Sequence, residues 1–388
     1  LSGRRAGVAA AALVAVNPML LWYSQEARAY ALFVLLTALS ALFFVRALDG
    51  ARRRDFTWWG IASALALATH YFAIFPILAE AAWLLWRRRR ASLAGLWIVA
   101  LAGLALAPLT LHQMSIGHAE WIGDNALGHR LWAAGTTFMV GETGDIIARP
   151  EHPLVALVPS LLALAALVLV PVRGGRAERR AASVPLALAL ATFAIPLVLA
   201  LLAPGKDYVL ARNLLPALVP LLVAVAVGVT LRGARRLGLG IGVALVAYSL
   251  AFSVWASVSP ALQRPDWDAV AARLGESRGP RAMVTWTLGE ASLRYYLPRG
   301  AFQVVPAEGF DWLVRDVDFV SDGPAPPVPA RMLGPGLRPA GYERVGRLYI
   351  RRYTAVGPGL APLRLGLVRR ADLGFRTNGV LLDGIGPG

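Results

Sequence analysis

The chain has 388 residues, 57% of them hydrophobic and only 16% charged, with a mean hydropathy of +0.57. Together with repeated apolar runs of about twenty residues, this profile belongs to a polytopic membrane protein and excludes an ordinary soluble enzyme. Cysteine is absent, so neither a disulfide framework nor a thiolate metal site can form.

The first residue is Leu1, and no signal-peptide pattern precedes the first apolar run. The true start of the protein is therefore expected upstream. Apolar runs fall at about 6–22, 30–48, 57–72, 72–86, 92–112, 153–172, 184–203, 214–231 and 237–256. Arginine clusters punctuate them: Arg4 and Arg5; Arg46 with Arg52, Arg53 and Arg54; Arg87 to Arg90; Arg173, Arg176, Arg179 and Arg180; Arg232, Arg235 and Arg236. The alternate segments carry only Arg28, Arg130, Arg149, Lys206 and Arg212. By the positive-inside rule the arginine-rich set is cytoplasmic. The net charge of +16 thus reads largely as a topology signal and not as a nucleic-acid surface. The stretch 58–86 is apolar but flanked by arginine on both sides, which predicts a helical hairpin turning near Thr69-His70-Tyr71-Phe72. The fold expected is an all-α bundle of about nine transmembrane helices, with an inside N-terminus and an outside C-terminus.

On that topology the chemically varied side chains gather at the outer face. The stretch Trp22-Tyr23-Ser24-Gln25-Glu26-Ala27-Arg28-Ala29-Tyr30 sets an acid, a base, an amide and two tyrosines between two apolar runs. An ionisable pair at such a position is a functional-site hypothesis; the alternative is a polar turn with tyrosines as interfacial anchors. All five histidines (His70, His112, His118, His129, His152) fall on the same side, as do Glu120, Asp124, Glu142, Asp145 and Glu151. Segment 113–152 mixes aromatic and polar residues, including Trp121, Trp132 and Phe138, as an amphipathic helix on the membrane surface would. The outer loop 203–213 holds Lys206, the only lysine in the sequence, with Tyr208 and Arg212. Lys206 and Arg212 could hold an anion there, although a snorkelling arginine would need no further role. Glu80, alone inside an apolar run, should face the bundle interior, more readily as a structural than a functional group.

After Trp255 the apolar runs stop. Asp266-Trp267 opens a helical pattern, Ala282 to Trp286 reads as a strand, Glu290 to Leu297 as a helix, and 302–305, 317–320 and 347–353 as short strands. Residues 257–354 are expected to form a small extracytoplasmic α/β domain, and the Gly/Pro/Arg-rich tail 355–388 to be poorly ordered. No Gly-rich phosphate loop, HExxH or other soluble-enzyme motif occurs. No internal repeat suggests an inverted-repeat transporter.

Asn17-Pro18-Met19-Leu20-Leu21-Trp22-Tyr23-Ser24-Gln25-Glu26-Ala27-Arg28-Ala29-Tyr30-Ala31-Leu32 resembles the third-to-fourth helix junction of bacterial GT-C membrane glycosyltransferases, similar to protein O-mannosyltransferases and the lipid A aminoarabinose transferase. Thr69-His70-Tyr71-Phe72, Arg212-Asn213-Leu214-Leu215-Pro216, Pro265-Asp266-Trp267 and Tyr295-Tyr296 fit the same group in order and spacing. The resemblance implies a multi-pass protein of the bacterial cytoplasmic membrane. It would move a sugar from a polyprenyl-phosphate carrier to a glycan, lipid or protein acceptor on the outer face. It further implies Glu26 and His70 as catalytic-site residues, and Tyr23, Gln25, Arg28, Tyr30, Tyr71, Lys206, Tyr208 and Arg212 as substrate-binding residues. No cofactor is certain; a divalent metal is left open, with Glu26 its one candidate ligand. The sequence departs from the family at its start: the first two helices and their Asp-bearing loop, which would supply the main base, have no counterpart. Glu26 matches the second, supporting acidic position, and the chain as it stands is expected to be inactive. A transporter or flippase for a lipid-linked or anionic substrate is the alternative, and a non-catalytic scaffold binding cell-wall glycans a third reading.

Overall fold

The computed structural model describes residues 3–115, 122–123, 126–143, 153–203, 207–276, 279–297, 303–304, 312–324, 326–371, 373 and 378–383. The chain divides into two compact units, Leu1–Trp255 and Ala256–Gly388.

The first unit is helical: α1 (Arg4–Val16), α2 (Pro18–Ser24), α3 (Tyr30–Gly50), α4 (Arg53–Thr69), α5 (Ile74–Ser115), α6 (Leu127–Val140), α7 (Pro153–Arg173), α8 (Arg176–Leu202), α9 (Leu215–Val229) and α10 (Arg235–Val258). Six helical stretches are long and apolar enough to cross a membrane, and α1 with α2, bent by 59° at Asn17, would make a seventh. This is a multi-pass membrane protein. The other two of the nine expected crossings are the arms of the 58–86 hairpin, and both are shorter. One arm is α4, with 17 residues. The other runs from Ile74 to Arg88, where non-helical backbone (φ −138°, ψ 34°) kinks α5. The hairpin itself is as expected: His70 is extended and a 3-10 turn over Tyr71–Ala73 reverses the chain.

Close helix packing rests on small residues, as it must where lipid removes the hydrophobic drive between helices. A Cβ added to Gly60 of α4 would stand 2.7 Å from the Gly95 carbonyl oxygen of α5, and one on Gly95 2.4 Å from that of Phe56. Backbones therefore touch at this crossing. Helix α9 is the central one, with 78% of its span buried, against 6% for Arg90–Ser115. Glu80 faces inward as expected and is fully enclosed. Its carboxylate accepts from Ser40 Oγ on α3 (2.5 Å) and Trp59 Nε1 on α4 (2.7 Å), and Ser40 meets Ser63 at 2.8 Å. One acidic residue thus ties three helices.

The arginine clusters converge on one end of the bundle. An Arg88 guanidinium donates to the Leu48 carbonyl (2.7 Å), the Arg232 N–H donates to the Glu178 carboxylate (3.0 Å), and Ala6 packs with Val170, Ala181 and Leu231. The loops after α2, α4, α6 and α8 are consequently left at the other end.

The second unit is built on a six-stranded sheet, ordered β2-β8-β1-β4-β6-β5. Its strands are β1 (Arg281–Trp286), β2 (Gln303–Val304), β4 (Asp316–Asp322), β5 (Leu337–Val345), β6 (Leu348–Ala355) and β8 (Asn378–Asp383); β3 (Trp312–Val314) pairs separately with β7 (Ala361–Leu363). Only β1 and β4 run parallel; the other pairs of this sheet are antiparallel. Helices α11 (Trp267–Leu274) and α12 (Thr287–Tyr296) share a core with Met283, Val320, Ile350 and Leu381. The opposite face buries Val284, Phe319, Tyr353 and Val380. Covered on both sides, β1 is buried at all six positions, as a near-continuous apolar strand should be. Asp266 caps α11, accepting from the Ala269 N–H at 3.0 Å.

Two expectations are corrected. The tail beyond 355 is not simply poorly ordered, since β7 and β8 lie in it and β8 sits between β1 and β2. Its apolar core, Val380-Leu381-Leu382, is three residues long among glycines and therefore hid in the composition. Strand β5 was also unforeseen, because it carries Pro339 and Gly341 and is exposed over most of its length. Charge is buried at the sheet centre: Arg281 pairs with Asp383 at 2.8 Å, and Arg352 donates to Asp318 at 2.7 Å. Burial pushes the Asp318 carboxyl above the usual carboxylate range against the pull of Arg352.

Candidate functional site

The site begins at a helix break. Asn17 is extended and begins α2 as its cap, its Oδ1 accepting from the Met19 and Leu20 N–H groups at 3.1 Å each; Pro18 follows at a position where no amide is needed. The Asn17 amide donates to the Phe138 carbonyl of α6 at 3.0 Å. The bend turns Tyr23, which is buried, so that its hydroxyl donates to the Glu142 carboxylate just past α6.

From Tyr23 a series of rings crosses three inter-helix segments. Tyr23 lies 4.5 Å from Tyr30 at the start of α3, and Tyr30 lies 5.4 Å from His70 at the hairpin turn. His70 stacks on Phe33 at 4.5 Å and 17°, and sits 5.3 Å from Phe72; Phe72 sits 5.5 Å from Tyr208 in the loop after α8. Sequence reasoning named Tyr23, Tyr30, His70 and Tyr208 separately; the structure makes them neighbours.

His70 has a defined protonation state. Its Nδ1 accepts the Phe72 N–H at 3.3 Å, so the ring proton sits on Nε2. Burial, and then the Arg212 charge, lower its pKa from 6.5 to about 4. At neutral pH it is an uncharged imidazole that can donate from Nε2 and cannot act as a cation.

Arg212 stands in a short 3-10 turn, Ala211–Leu214, close enough to His70 for its charge to be felt. The loop that carries it is strapped down. Arg130 of α6, which is buried, grips Asp207 with both guanidinium nitrogens (2.6 and 2.5 Å) and also donates to the Val209 carbonyl at 3.2 Å. Asp207 in turn accepts the Val209 N–H at 3.0 Å, and Asn213 donates to the Tyr208 carbonyl at 3.1 Å. Burial alone would raise the Asp207 carboxyl. The hydrogen bonds from Arg130 and Val209, with the Arg130 charge, outweigh it and hold the group below its ordinary 3.8.

The remaining candidates are less enclosed. Glu26 is half-buried and pairs at 3.5 Å with Arg28, whose side chain is 57% exposed. Gln25 is exposed at the end of α2, and Tyr71 is half-buried in the turn beside His70. Lys206 lies outside the described residues, as do His118, Glu120, Trp121, Asp124, Asp145, Glu151 and His152. His112 and His129 are exposed, and only His70 joins the described ring series. Helix α6, expected on the membrane surface, buries Arg130, Ala134 and Phe138 while Trp132 stays outside. Among the described residues no group of three His, Asp or Glu side chains could hold a metal ion.

Residues Arg130, Asp207 and Asn17 were missed as site builders. Asn17-Pro18 carried a local cap signal. Arg130 and Asp207 are 77 positions apart and share no pattern a sequence reading could use.

Residues 1–112 match the family model of the dolichyl-phosphate-mannose-protein mannosyltransferases. That stretch contains the α2–α3 junction and the hairpin turn, the two places where the GT-C resemblance is densest. No curated protein and no solved structure matches the chain.

Proposed function

We propose that this GT-C membrane glycosyltransferase moves a sugar from a polyprenyl-phosphate carrier to an acceptor hydroxyl at the bundle end that carries Tyr23, Glu26, His70 and Arg212, and that this end faces outward. The observation that supports this most is the ring series from Tyr23 to Tyr208 beside Arg212, much of it within the family match. Arg212 is placed to grip the carrier phosphate, with Arg28 and Lys206 as further cations; a planar guanidinium can engage two phosphate oxygens at once. As the glycosidic bond to the carrier breaks, negative charge grows on that phosphate, and a cation already in place stabilises it. Neutral His70 serves as a donor to a sugar or phosphate oxygen. Glu26 orients Arg28 and supports the acceptor side, while the tyrosines and Phe72 offer flat apolar faces to the sugar or first prenyl unit. A hexose donor, mannose first, is the reading the family name supports; bacterial inner-membrane location follows from the polyprenyl resemblance.

The test is transfer from a short-chain polyprenyl-phosphate mannose by the intact gene product, with donor varied at saturating membrane acceptor. Arg212→Ala should raise donor KM or lower kcat by about tenfold or more, and Arg212→Lys should recover only part of it. Glu26→Gln should cut transfer without loss of membrane insertion. Wild-type kinetics in both Arg212→Ala and Glu26→Gln would overturn the assignment of this end as the active site.

A further inference from the structure

We propose that the outer edge of the second unit's sheet, strands β5 and β6, is a docking surface for an anionic glycan. In the antiparallel register Tyr342 faces Arg351 and Arg344 faces Tyr349, so the four side chains share one face of the sheet. They form one continuous stack. The Arg351 guanidinium lies 4.1 Å from the Tyr342 ring, Tyr342 lies 5.6 Å from Tyr349 at 20°, and Arg344 lies 5.7 Å from the Tyr349 ring. Tyr342 is 48% exposed although it belongs to a folded sheet. A guanidinium laid on a ring gives up little hydrogen bonding, because its N–H groups point outward in its own plane. The stack thus holds two cationic forks at its ends, with ring edges and hydroxyls between them.

The geometry points to one chemistry. Both forks match carboxylate or phosphate oxygens, and Arg338 and Arg347 add charge of the same sign, with Glu343 the only acid within strands β5 and β6. Arg347 is engaged with Asp322 at 2.6 Å, so Arg344 and Arg351 are the arms of the surface. The ring faces are occupied within the stack, which leaves no slot for a nucleobase to enter. A lipid surface would call for an apolar anchor, and the large exposed residue on these strands is Tyr342, with its polar tip. A chain of sugars bearing spaced anions, with hydroxyls for the phenols, satisfies every group. This inference concerns the second unit and stands apart from the glycosyl-transfer reading.

The full chain, in nanodiscs of neutral lipid, would be titrated with polygalacturonate, with uncharged dextran of matched length, and with phosphatidylglycerol vesicles. Polygalacturonate should bind and weaken as salt rises, and dextran should not bind. Arg344→Ala with Arg351→Ala should weaken binding about tenfold or more. The double lysine variant should fall between, since it keeps charge but loses the forks. Arg273→Gln, which removes one cation away from the stack, should bind as wild type and controls for net charge. Equal binding of dextran, wild-type affinity in the double alanine or double lysine variant, loss in Arg273→Gln, or binding to the anionic vesicles alone would overturn the proposal.

Discussion

Arg130 does more for the candidate site than its distance from the rings suggests. Its two nitrogens fix Asp207, and through Asp207 the backbone at Val209, so the loop that presents Tyr208 and Arg212 has little freedom to swing. An ammonium can supply the charge but not two parallel N–H bonds. Arg130→Lys should therefore lower transfer by about tenfold through misplacement of the loop, and it should speed proteolytic nicking near Tyr208. A wild-type cleavage pattern would show that the strap is idle. The pH dependence has a defined sign. Because Asp207 titrates below 3.8 when folded, its pairing contributes fully above that value and is lost only as pH falls through the lower folded-state value. The melting-temperature gap between wild type and Asp207→Asn should stay level near neutrality and close in strong acid. None of this could be read from the sequence, where Arg130 looked like one stray cation among a few. Tyr23, His70 and Arg212 were legible because each sits where an apolar run stops, and a polar group at such a boundary is conspicuous.

At the scale of elements, the break between α1 and α2 decides where Tyr23 points. Three hydrogen bonds run through Asn17, two to the start of α2 and one to α6. Asn17→Ala removes all three and should destabilise the bundle by about 1–2 kcal/mol, read as a lower melting temperature in detergent. Asn17→Asp keeps the cap but cannot donate to Phe138, and it should fall between the two. Indistinguishable melting of the alanine variant would mean that packing alone sets the bend. Helices were the most legible elements, since an apolar run in a membrane has few other ways to satisfy its backbone. The 58–86 hairpin followed from arginine on both flanks. What failed were elements whose burial comes from distant neighbours. Strand β8 is apolar for three residues only, and β5 owes its pairing to β6 in spite of a proline and a glycine.

For the whole molecule, the separation of charge between the bundle's two ends makes orientation testable. The sequence holds no cysteine, so single cysteines report without background. Residues placed at Ser24 and Gly123 should label from outside, and at Gly50 and Gly174 only after permeabilisation. External labelling at Gly50 would reverse the bundle and move the proposed site to the cytoplasm. The order of strands in the second unit has a consequence in time. Strand β8 pairs with β1 along its whole length and with β2 beyond it, and Asp383 closes on Arg281. While the ribosome still holds residues 378–383, β1 has an open edge and β2 lacks its neighbour in the sheet. The unit therefore completes its sheet only after these codons have been translated and their residues released. A premature stop shortly before Asn378 would leave a nascent domain with a bare, sticky edge, a natural substrate for the cell's quality-control proteases.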